Sequence, residues 1–277
     1  MVTMELVQTH VERHSIAYRC AGQGPALDLL HGFTLDSRIW KPQLEGLSDR
    51  SKVVAWDAPG AGASSDPPDP FTMAEWAHTL AGFLDVIGID QAHILGMSWG
   101  GVLAQEFYRL YPARALSLIL ADTYAGWKGS LPADVCRERL ATCIRGASLP
   151  IDDFVPQWVP GLIGAAASED VRADLSNIVA DIHPLGFRLM ARALADTDTR
   201  DLLPRIDVPT LLLWGDADRR SPVAIAEQLR DAIRRSELVV ISNAGHVPNM
   251  EQPAVFNAQV RRFLDRQTFA ATSRSAP

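Results

Sequence analysis

Short apolar runs alternate with helix-like patterns along the first half of the chain. Two loosely alternating segments within residues 4–20 predict a pair of antiparallel strands at a sheet edge. Continuous apolar runs, which are typical of buried strands, follow at 26–30, 52–56, 93–96 and 116–121. Between the second and third runs, a capping box at Thr72 and Glu75 begins a helix that ends near Gly88. Strands that alternate with helices in this way predict a parallel sheet built from βαβ units.

The pattern changes between Tyr124 and Leu203, where strand signals are absent. Helical patterns occur there at 132–147, 168–182 and 184–195, with an aromatic stretch rich in proline and glycine at 154–161. Strand patterns return at 208–214 and 238–241, with helical patterns at 222–234 and 252–266. The second half of the chain therefore contains a helical segment followed by the rest of the sheet.

We interpret residues 1–123 and 204–267 as an α/β core and residues 124–203 as an inserted helical cap. Ligands of open parallel sheets bind beyond the carboxyl ends of the strands, so we expect the cap to cover that edge. Extra helices packed on the side of the sheet are the alternative arrangement. Residues 268–277 are small and polar, and we expect a frayed tail there.

Asp28 lies in the middle of the apolar run at 26–30. A charge inside a buried strand costs several kcal/mol unless it is paired. The sequence offers no partner for this carboxyl group, so its role is left open at this stage.

Ser98 lies between a strand pattern and a helical pattern, in the segment Gly96-Met97-Ser98-Trp99-Gly100. This is the G-x-S-x-G spacing of a nucleophile elbow, a sharp turn that lifts the serine oxygen clear of a sheet. The turn also brings the serine to a helix N-terminus, where free N–H groups favour developing negative charge. The segment therefore predicts a nucleophilic serine.

A serine hydroxyl is a useful nucleophile only when a base takes its proton and an acid orients the base. Asp218 and His246 follow the last two predicted strands. The order Ser98, Asp218, His246 matches the order expected for this kind of elbow. Asp216 and Asp122 also follow strands and are the alternatives for the acid.

Two further polar residues at strand ends are interpreted as structural. Asp57 precedes Ser98, so an acid at that position breaks the expected order. His31 begins a His-Gly turn and is expected to brace the neighbouring loop rather than to transfer protons. The other histidines show no metal-ligand spacing, so we expect no metal site and no cofactor: they are His10, His14, His78, His93 and His183.

Five motifs occur in the order found in one known family: His31-Gly32-Phe33, Asp57-x-Pro59-Gly60-x-Gly62-x-Ser64, Gly96-Met97-Ser98-Trp99-Gly100-Gly101, Gly215-x-x-Asp218-x-x-x-Pro222 and Gly245-His246. From about residue 10 to residue 266, the chain resembles the serine-nucleophile branch of the α/β-hydrolase family. The resemblance implies an α/β-hydrolase fold, with an eight-stranded, mostly parallel sheet and a cap after the sixth strand. It implies Ser98 as nucleophile, His246 as base and Asp218 as orienting acid. It also implies an oxyanion hole formed by the backbone N–H groups of Phe33 and Trp99.

The serine at the elbow favours acyl transfer, since epoxide hydrolases and haloalkane dehalogenases of this fold use aspartate there. The segment His31-Gly32-Phe33-Thr34-Leu35 departs from the His-Gly-Gly-Pro-Gly of proline iminopeptidases. It is similar to small bacterial esterases, enol-lactonases and haloperoxidase-like perhydrolases. We therefore predict a hydrolase that cleaves a small carboxylic ester or lactone. A C–C bond hydrolase acting on a dienoic ring-cleavage product is one alternative, and a slow, receptor-like member of the fold is another.

Several large apolar residues are candidates for a substrate pocket. Trp127, Phe154 and Trp158 lie in the predicted cap, Val247 follows the candidate base, and Trp99 follows the candidate nucleophile. For each of them, ordinary core packing is the competing interpretation.

The net charge of −7 and the isoelectric point near 5.5 argue against nucleic acid or an anionic membrane as a partner. The start of the chain lacks the features of a secretory signal, and no apolar run approaches the ~20 residues of a membrane span. Cys20, Cys136 and Cys143 form no disulfide framework. These features predict a cytoplasmic protein with a small-molecule substrate. None of these features indicates an oligomeric state.

Overall fold

Eight strands form one sheet in the computed structural model, which describes residues 5–274 of the chain and side chains up to residue 267. The strands are β1 Leu6–Val11, β2 His14–Ala21, β3 Ala26–Leu30, β4 Lys52–Trp56, β5 Ala92–Met97, β6 Ala115–Ala121, β7 Thr210–Gly215 and β8 Ser236–Ile241. Their spatial order is β1-β2-β4-β3-β5-β6-β7-β8. The β1–β2 and β2–β4 pairs are antiparallel and every other pair is parallel. The predicted mostly parallel sheet with an antiparallel edge is confirmed.

Eleven helices occur among the described residues: α1 Lys41–Leu47, α2 Met73–Val86, α3 Trp99–Leu110, α4 Trp127–Ser130, α5 Ala133–Gly146, α6 Ile151–Trp158, α7 Glu169–Ala180, α8 Pro184–Asp196, α9 Val223–Ala232, α10 Pro248–Glu251 and α11 Pro253–Arg274. The predicted capping box at Thr72 and Glu75 begins α2. Helix α6 was not predicted, because its segment contains Pro156, a residue that usually ends a helix. Helix α11 continues past its predicted end near residue 266, and residues 275–277 of the predicted tail lie outside the described residues.

The core lies in the middle of the sheet. Every residue of β3, β5 and β7 is buried, because helices cover both faces of parallel strands. Helix α3 packs on β5 and β6, and α9 packs on β7 and β8. The helices cover the faces of the sheet, and the loops that follow β3, β5, β7 and β8 meet at the carboxyl edge of the strands.

The helices between β6 and β7 contact the loops at this edge. Asp181 pairs with Arg38 at 2.7 Å, and the indole N–H of Trp158 donates to Thr34 at 3.0 Å. Gly186 packs so closely that a Cβ there would lie 2.0 Å from the Gly60 carbonyl oxygen. The division into a core and a cap at 124–203 stays a prediction, which these contacts favour. Within the described residues, no helix combines the length and the apolar character that crossing a bilayer requires.

Asp28 is fully buried in the middle of β3, between strands β4 and β5. Neither of its carboxyl oxygens has a hydrogen-bond partner among the described residues. Burial raises the pKa of this carboxyl from 3.8 to about 8, because the charged form loses its hydration. Asp28 is therefore a neutral acid in the folded protein at pH 7.

We expect the stability of the wild type to fall as the pH rises from about 4 to about 8. In this interval the unfolded chain has released the Asp28 proton, whereas the folded chain keeps it, and the slope is about 1.4 kcal/mol per pH unit. Asp28→Asn, which is neutral in both states, lacks this contribution. Urea unfolding of both proteins at pH 5 and pH 8 gives their free energies of unfolding. We expect the variant to become more stable relative to the wild type as the pH rises. Equal pH dependence of the two proteins would contradict the assignment.

Candidate active site

Ser98 forms the turn between β5 and α3 with a strained backbone. Its φ of 54° and ψ of −117° lie outside the regions that non-glycine residues normally occupy. The Ser98 N–H donates to the Ala121 carbonyl at 2.9 Å, and the Thr123 hydroxyl donates to the Ser98 carbonyl. These bonds to the end of β6 hold the residue in its unfavourable conformation.

The glycines around Ser98 allow α3 to pack closely against β5 and the end of β3. A Cβ on Gly96 would lie 2.2 Å from the Gly100 carbonyl oxygen, and a Cβ on Gly100 would lie 2.2 Å from the Leu30 carbonyl oxygen. Both obstacles are backbone atoms, which cannot move aside as a flexible side chain would. The G-x-S-x-G spacing therefore reflects a steric requirement of the turn.

Ser98, His246 and Asp218 are connected by hydrogen bonds. The Ser98 hydroxyl oxygen lies 2.9 Å from His246 Nε2, and His246 Nδ1 lies 2.8 Å from Asp218 Oδ2. All three side chains are buried. Because Nδ1 faces a carboxylate, it carries the proton in the neutral ring, which leaves Nε2 free to accept from the serine.

Asp218 is held by its own loop after β7. Its Oδ1 accepts from the backbone N–H groups of Arg220 at 2.8 Å and Ser221 at 3.2 Å. The alternative acid Asp216 does not bond to His246, since among the described residues its carboxylate accepts only a long bond from the Ala244 N–H at 3.4 Å. Asp57 accepts from two backbone N–H groups in the loops after β3 and β4, as expected for a structural residue.

Asp122 lies beside the catalytic candidates without bonding to the histidine. Its Oδ1 accepts from the Gly215 N–H at 2.9 Å. Burial first, and then the nearby carboxylate of Asp218, raises the pKa of Asp122 well above its usual range. The ligand atoms of Asp122, Asp218 and His246 come within 4.8 Å of one another. Because His246 Nδ1 carries a proton and Nε2 faces Ser98, this group forms a hydrogen-bond network rather than a metal site.

Phe33 and Trp99 each present a free backbone N–H near Ser98. Among the described residues, neither group donates to a backbone carbonyl or to a side chain. His31 fixes the loop that carries Phe33. Its Nδ1–H donates to the Gly32 carbonyl at 2.8 Å, and its Nε2 accepts from the Ala58 N–H at 3.0 Å. This bracing role is the one proposed from the sequence.

A cavity of about 340 Å³ opens onto Ser98 and His246. Trp127 and Trp158 line it, together with Phe33. Phe154 and Val247 are buried but do not line it, and Phe154 stacks behind Trp158 at 5.2 Å between ring centroids. The Trp99 ring also lies away from the cavity, packed edge-on against Trp76. Of the predicted pocket residues, the structure thus brings only Trp127 and Trp158 to the site.

Several lining residues were not predicted from the sequence. They come from the end of β6, from α5 and from the loop after Asp218: Tyr124, Val135, Glu138, Arg139, Thr142, Cys143, Arg219 and Arg220. The helical pattern at 132–147 predicted α5, but it did not predict that one side of this helix lines the cavity. Of these residues, Tyr124 was the easiest to predict from the sequence, because it follows the end of a strand and lies two residues after Asp122.

Glu251 is a further residue that sequence reasoning missed. Its two carboxylate oxygens accept from the Gly245 N–H at 2.8 Å and the Gly164 N–H at 2.7 Å. The His246 N–H in turn donates to the Leu162 carbonyl at 2.9 Å. One carboxylate therefore connects the loop of the candidate base to the segment between α6 and α7. No local motif around Glu251 predicts this contact.

A serine, a histidine and a carboxylate bonded in series, beside two free N–H groups, have the geometry used by serine-nucleophile hydrolases. A model of the α/β hydrolase fold matches residues 25–253, so the chain belongs to the α/β hydrolase fold family. Such a model describes the core at which these residues meet, and the predicted resemblance is confirmed.

Proteins similar to this chain include an enol-lactonase and esterases. The chain is 30% identical over 261 residues to 3-oxoadipate enol-lactonase 2 of Acinetobacter baylyi, covering 91% of this chain and 94% of that protein. It is 28% identical over 260 residues to a pimeloyl-[acyl-carrier protein] methyl ester esterase of Vibrio campbellii, covering 90% and 98%. A thermophilic esterase from Thermogutta terrifontis, solved with malate bound, has a TM-score of 0.87 at 30% identity, covering 95% and 99%. These similarities support the prediction of a hydrolase.

The hydrogen-bond network predicts different effects of two neighbouring substitutions on the reactivity of Ser98. Asp218→Asn removes the acceptor that fixes the His246 tautomer, so labelling of Ser98 by a fluorophosphonate should slow roughly 10³–10⁴-fold. Asp122→Asn keeps a neutral polar group of the same size, so its labelling rate should change less than tenfold. Intact-mass spectrometry follows the labelling, and circular dichroism verifies the fold of both variants. A larger loss from Asp122→Asn than from Asp218→Asn would contradict the assignment of the acid.

Proposed function

We propose that the protein hydrolyses a small carboxylic ester or lactone through an acyl-enzyme on Ser98. The observation that carries the proposal is the unbroken series of hydrogen bonds from Ser98 through His246 to Asp218. This series opens onto a cavity that is large enough for a small ligand.

In the first step, His246 Nε2 takes the proton of the Ser98 hydroxyl as its oxygen attacks the substrate carbonyl. Asp218 keeps the ring oriented and stabilises the imidazolium that forms. When the tetrahedral intermediate breaks down, the imidazolium gives its proton to the leaving alkoxide. An alcohol leaves, or in a lactone the ring opens, and the acyl group stays on Ser98.

In the second step, His246 takes a proton from water, which attacks the acyl-enzyme carbonyl. Breakdown of this second intermediate returns the proton to the Ser98 oxygen and releases a carboxylic acid. In both steps the Phe33 and Trp99 N–H groups donate to the oxyanion, and each such donor is typically worth about 3–4 kcal/mol.

The dimensions of the cavity favour a small substrate. Its volume of about 340 Å³ lies near the lower end of the range for small-molecule sites. Phe33, Trp127 and Trp158 supply apolar walls, and polar groups of α5 and the Asp218 loop supply the rest. The relatives named above include an enol-lactonase and a methyl ester esterase, which supports both ester and lactone as substrate classes.

Ser98→Ala should lower kcat/KM for a Ser98-dependent substrate by roughly 10⁴-fold or more, because removing the nucleophile disables the whole series. The measurement uses p-nitrophenyl butyrate, a panel of lactones and a dienoic ring-cleavage product. Ser176→Ala is the matched control, since within the described part of the chain the Ser176 hydroxyl bonds only to the Arg172 carbonyl in its own helix. Circular dichroism of both variants verifies their fold.

The pattern of activity distinguishes the alternatives. Turnover of only the ring-cleavage product would replace the proposal with a C–C bond hydrolase, and binding without turnover would indicate a receptor-like protein. Full activity of Ser98→Ala on the esters would exclude Ser98 as the nucleophile.

A further inference from the structure

The cavity at Ser98 carries positive charge in a protein whose net charge is −7. Its lining includes Arg139, Arg219 and Arg220, but only one acidic side chain at its rim, Glu138. Other part-buried arginines of this chain, among them Arg38 and Arg109, pair with carboxylates, as Arg38 does with Asp36 at 2.6 Å. The arginines of the cavity are arranged differently.

Arg139 presents an unoccupied edge of its guanidinium group. Its Nη1 donates to the Tyr124 hydroxyl at 3.1 Å and to the Arg220 carbonyl at 2.9 Å. Its Nε and Nη2 donate to no acceptor among the described residues, and neither atom is sealed from solvent. These two nitrogens form the fork that binds a carboxylate in a bidentate manner. The bonds of Nη1 fix the orientation of this fork beforehand.

Arg220 adds a second cation that lacks an anionic partner of its own. Its guanidinium carbon lies 4.1 Å from the centroid of the Trp158 ring, and its side-chain bonds go to the Gly161 and Trp158 carbonyls. Burial lowers the pKa of Arg220, which reflects the cost of this charge. Asp218 offsets part of it, but the Asp218 oxygens already accept from His246 and from two backbone N–H groups.

The rim glutamate does not neutralise these cations. Glu138 is exposed, and in the described part of the chain it forms no ion pair with either arginine. Two part-buried guanidinium groups thus line a small cavity. Neutral hydroxyl and carbonyl groups accept their hydrogen bonds, but neither has a carboxylate that pairs with it. An anionic group on a ligand would supply the missing charge.

We propose that the substrate carries a carboxylate at the end remote from its scissile carbonyl, and that the free edge of Arg139 binds it. This inference rests on the proposed function, because it assigns the substrate class of the same site. Arg139 is then a specificity-determining residue, while Arg220 raises the local positive potential. A small ω-carboxy ester, or a lactone with a carboxylate side chain, meets these requirements within about 340 Å³.

A binding experiment tests the proposal without turnover. In Ser98→Ala, we expect monomethyl glutarate to bind at least tenfold more tightly than dimethyl glutarate, in which a methyl ester replaces the charged carboxylate. Dissociation constants are measured by ligand-observed NMR. Arg139→Met should abolish the difference, and Arg139→Lys, which keeps the charge but loses the fork, should keep part of it. Arg137→Met, which removes an exposed charge from the same helix, is the matched control and should keep all of it.

A kinetic experiment separates this inference from the proposed function. The ratio of kcat/KM for mono-p-nitrophenyl glutarate over p-nitrophenyl pentanoate should fall at least tenfold in Arg139→Met and stay unchanged in Arg137→Met. Ser98-dependent hydrolysis with no preference for the charged ester would overturn the anion site and leave the hydrolase intact. Arg139-dependent binding of monomethyl glutarate without hydrolysis of either ester would support the anion site and overturn the hydrolase. A preference that survives Arg139→Met would exclude Arg139 as its source.

Discussion

The close approach of α3 to β5 and β3 is the constraint on which the rest of the site depends. Gly96 lets β5 approach the start of α3, and Gly100 lets α3 approach Leu30 at the end of β3, at distances that no Cβ permits. Ser98 is thereby forced to a φ of 54°, where its hydroxyl leaves the sheet and its backbone meets the start of a helix. This strain, of order 1–3 kcal/mol for such a conformation, is offset by the bonds to Ala121 and Thr123. The Ser98 hydroxyl is consequently positioned before any substrate arrives.

Two buried carboxyl groups beside this turn behave differently because their partners differ. Asp218 accepts three N–H donors, including His246, and so its negative charge is compensated. Asp122 accepts one, and burial beside the Asp218 carboxylate raises the pKa of Asp122 well above its usual range. One carboxyl group is therefore suited to stabilise an imidazolium, whereas burial disfavours a negative charge on its neighbour. Asp28 shows the same physics far from the site, since a carboxyl without donors stays neutral.

The parts of the molecule that sequence predicted are those fixed by local geometry. The elbow at Ser98 and the buried strands are encoded in short segments, and the order of Asp218 and His246 followed from strand ends. Contacts between distant segments were not predictable in this way. Glu251 reaches both Gly245 and Gly164, and nothing in its local sequence indicates this. Arg139 faces the cavity only because of how α5 is seated, and Phe154 lies one layer behind Trp158 for the same reason.

We propose above all that Ser98 carries the acyl group during turnover. Rapid acid quench of the protein mixed with excess p-nitrophenyl butyrate, followed by peptide mass spectrometry, tests this claim directly. We predict a mass increase of one butyryl group on the peptide that contains Ser98, which is absent in Ser98→Ala. A butyryl adduct on a different residue, or turnover with no covalent species in any variant, would contradict it.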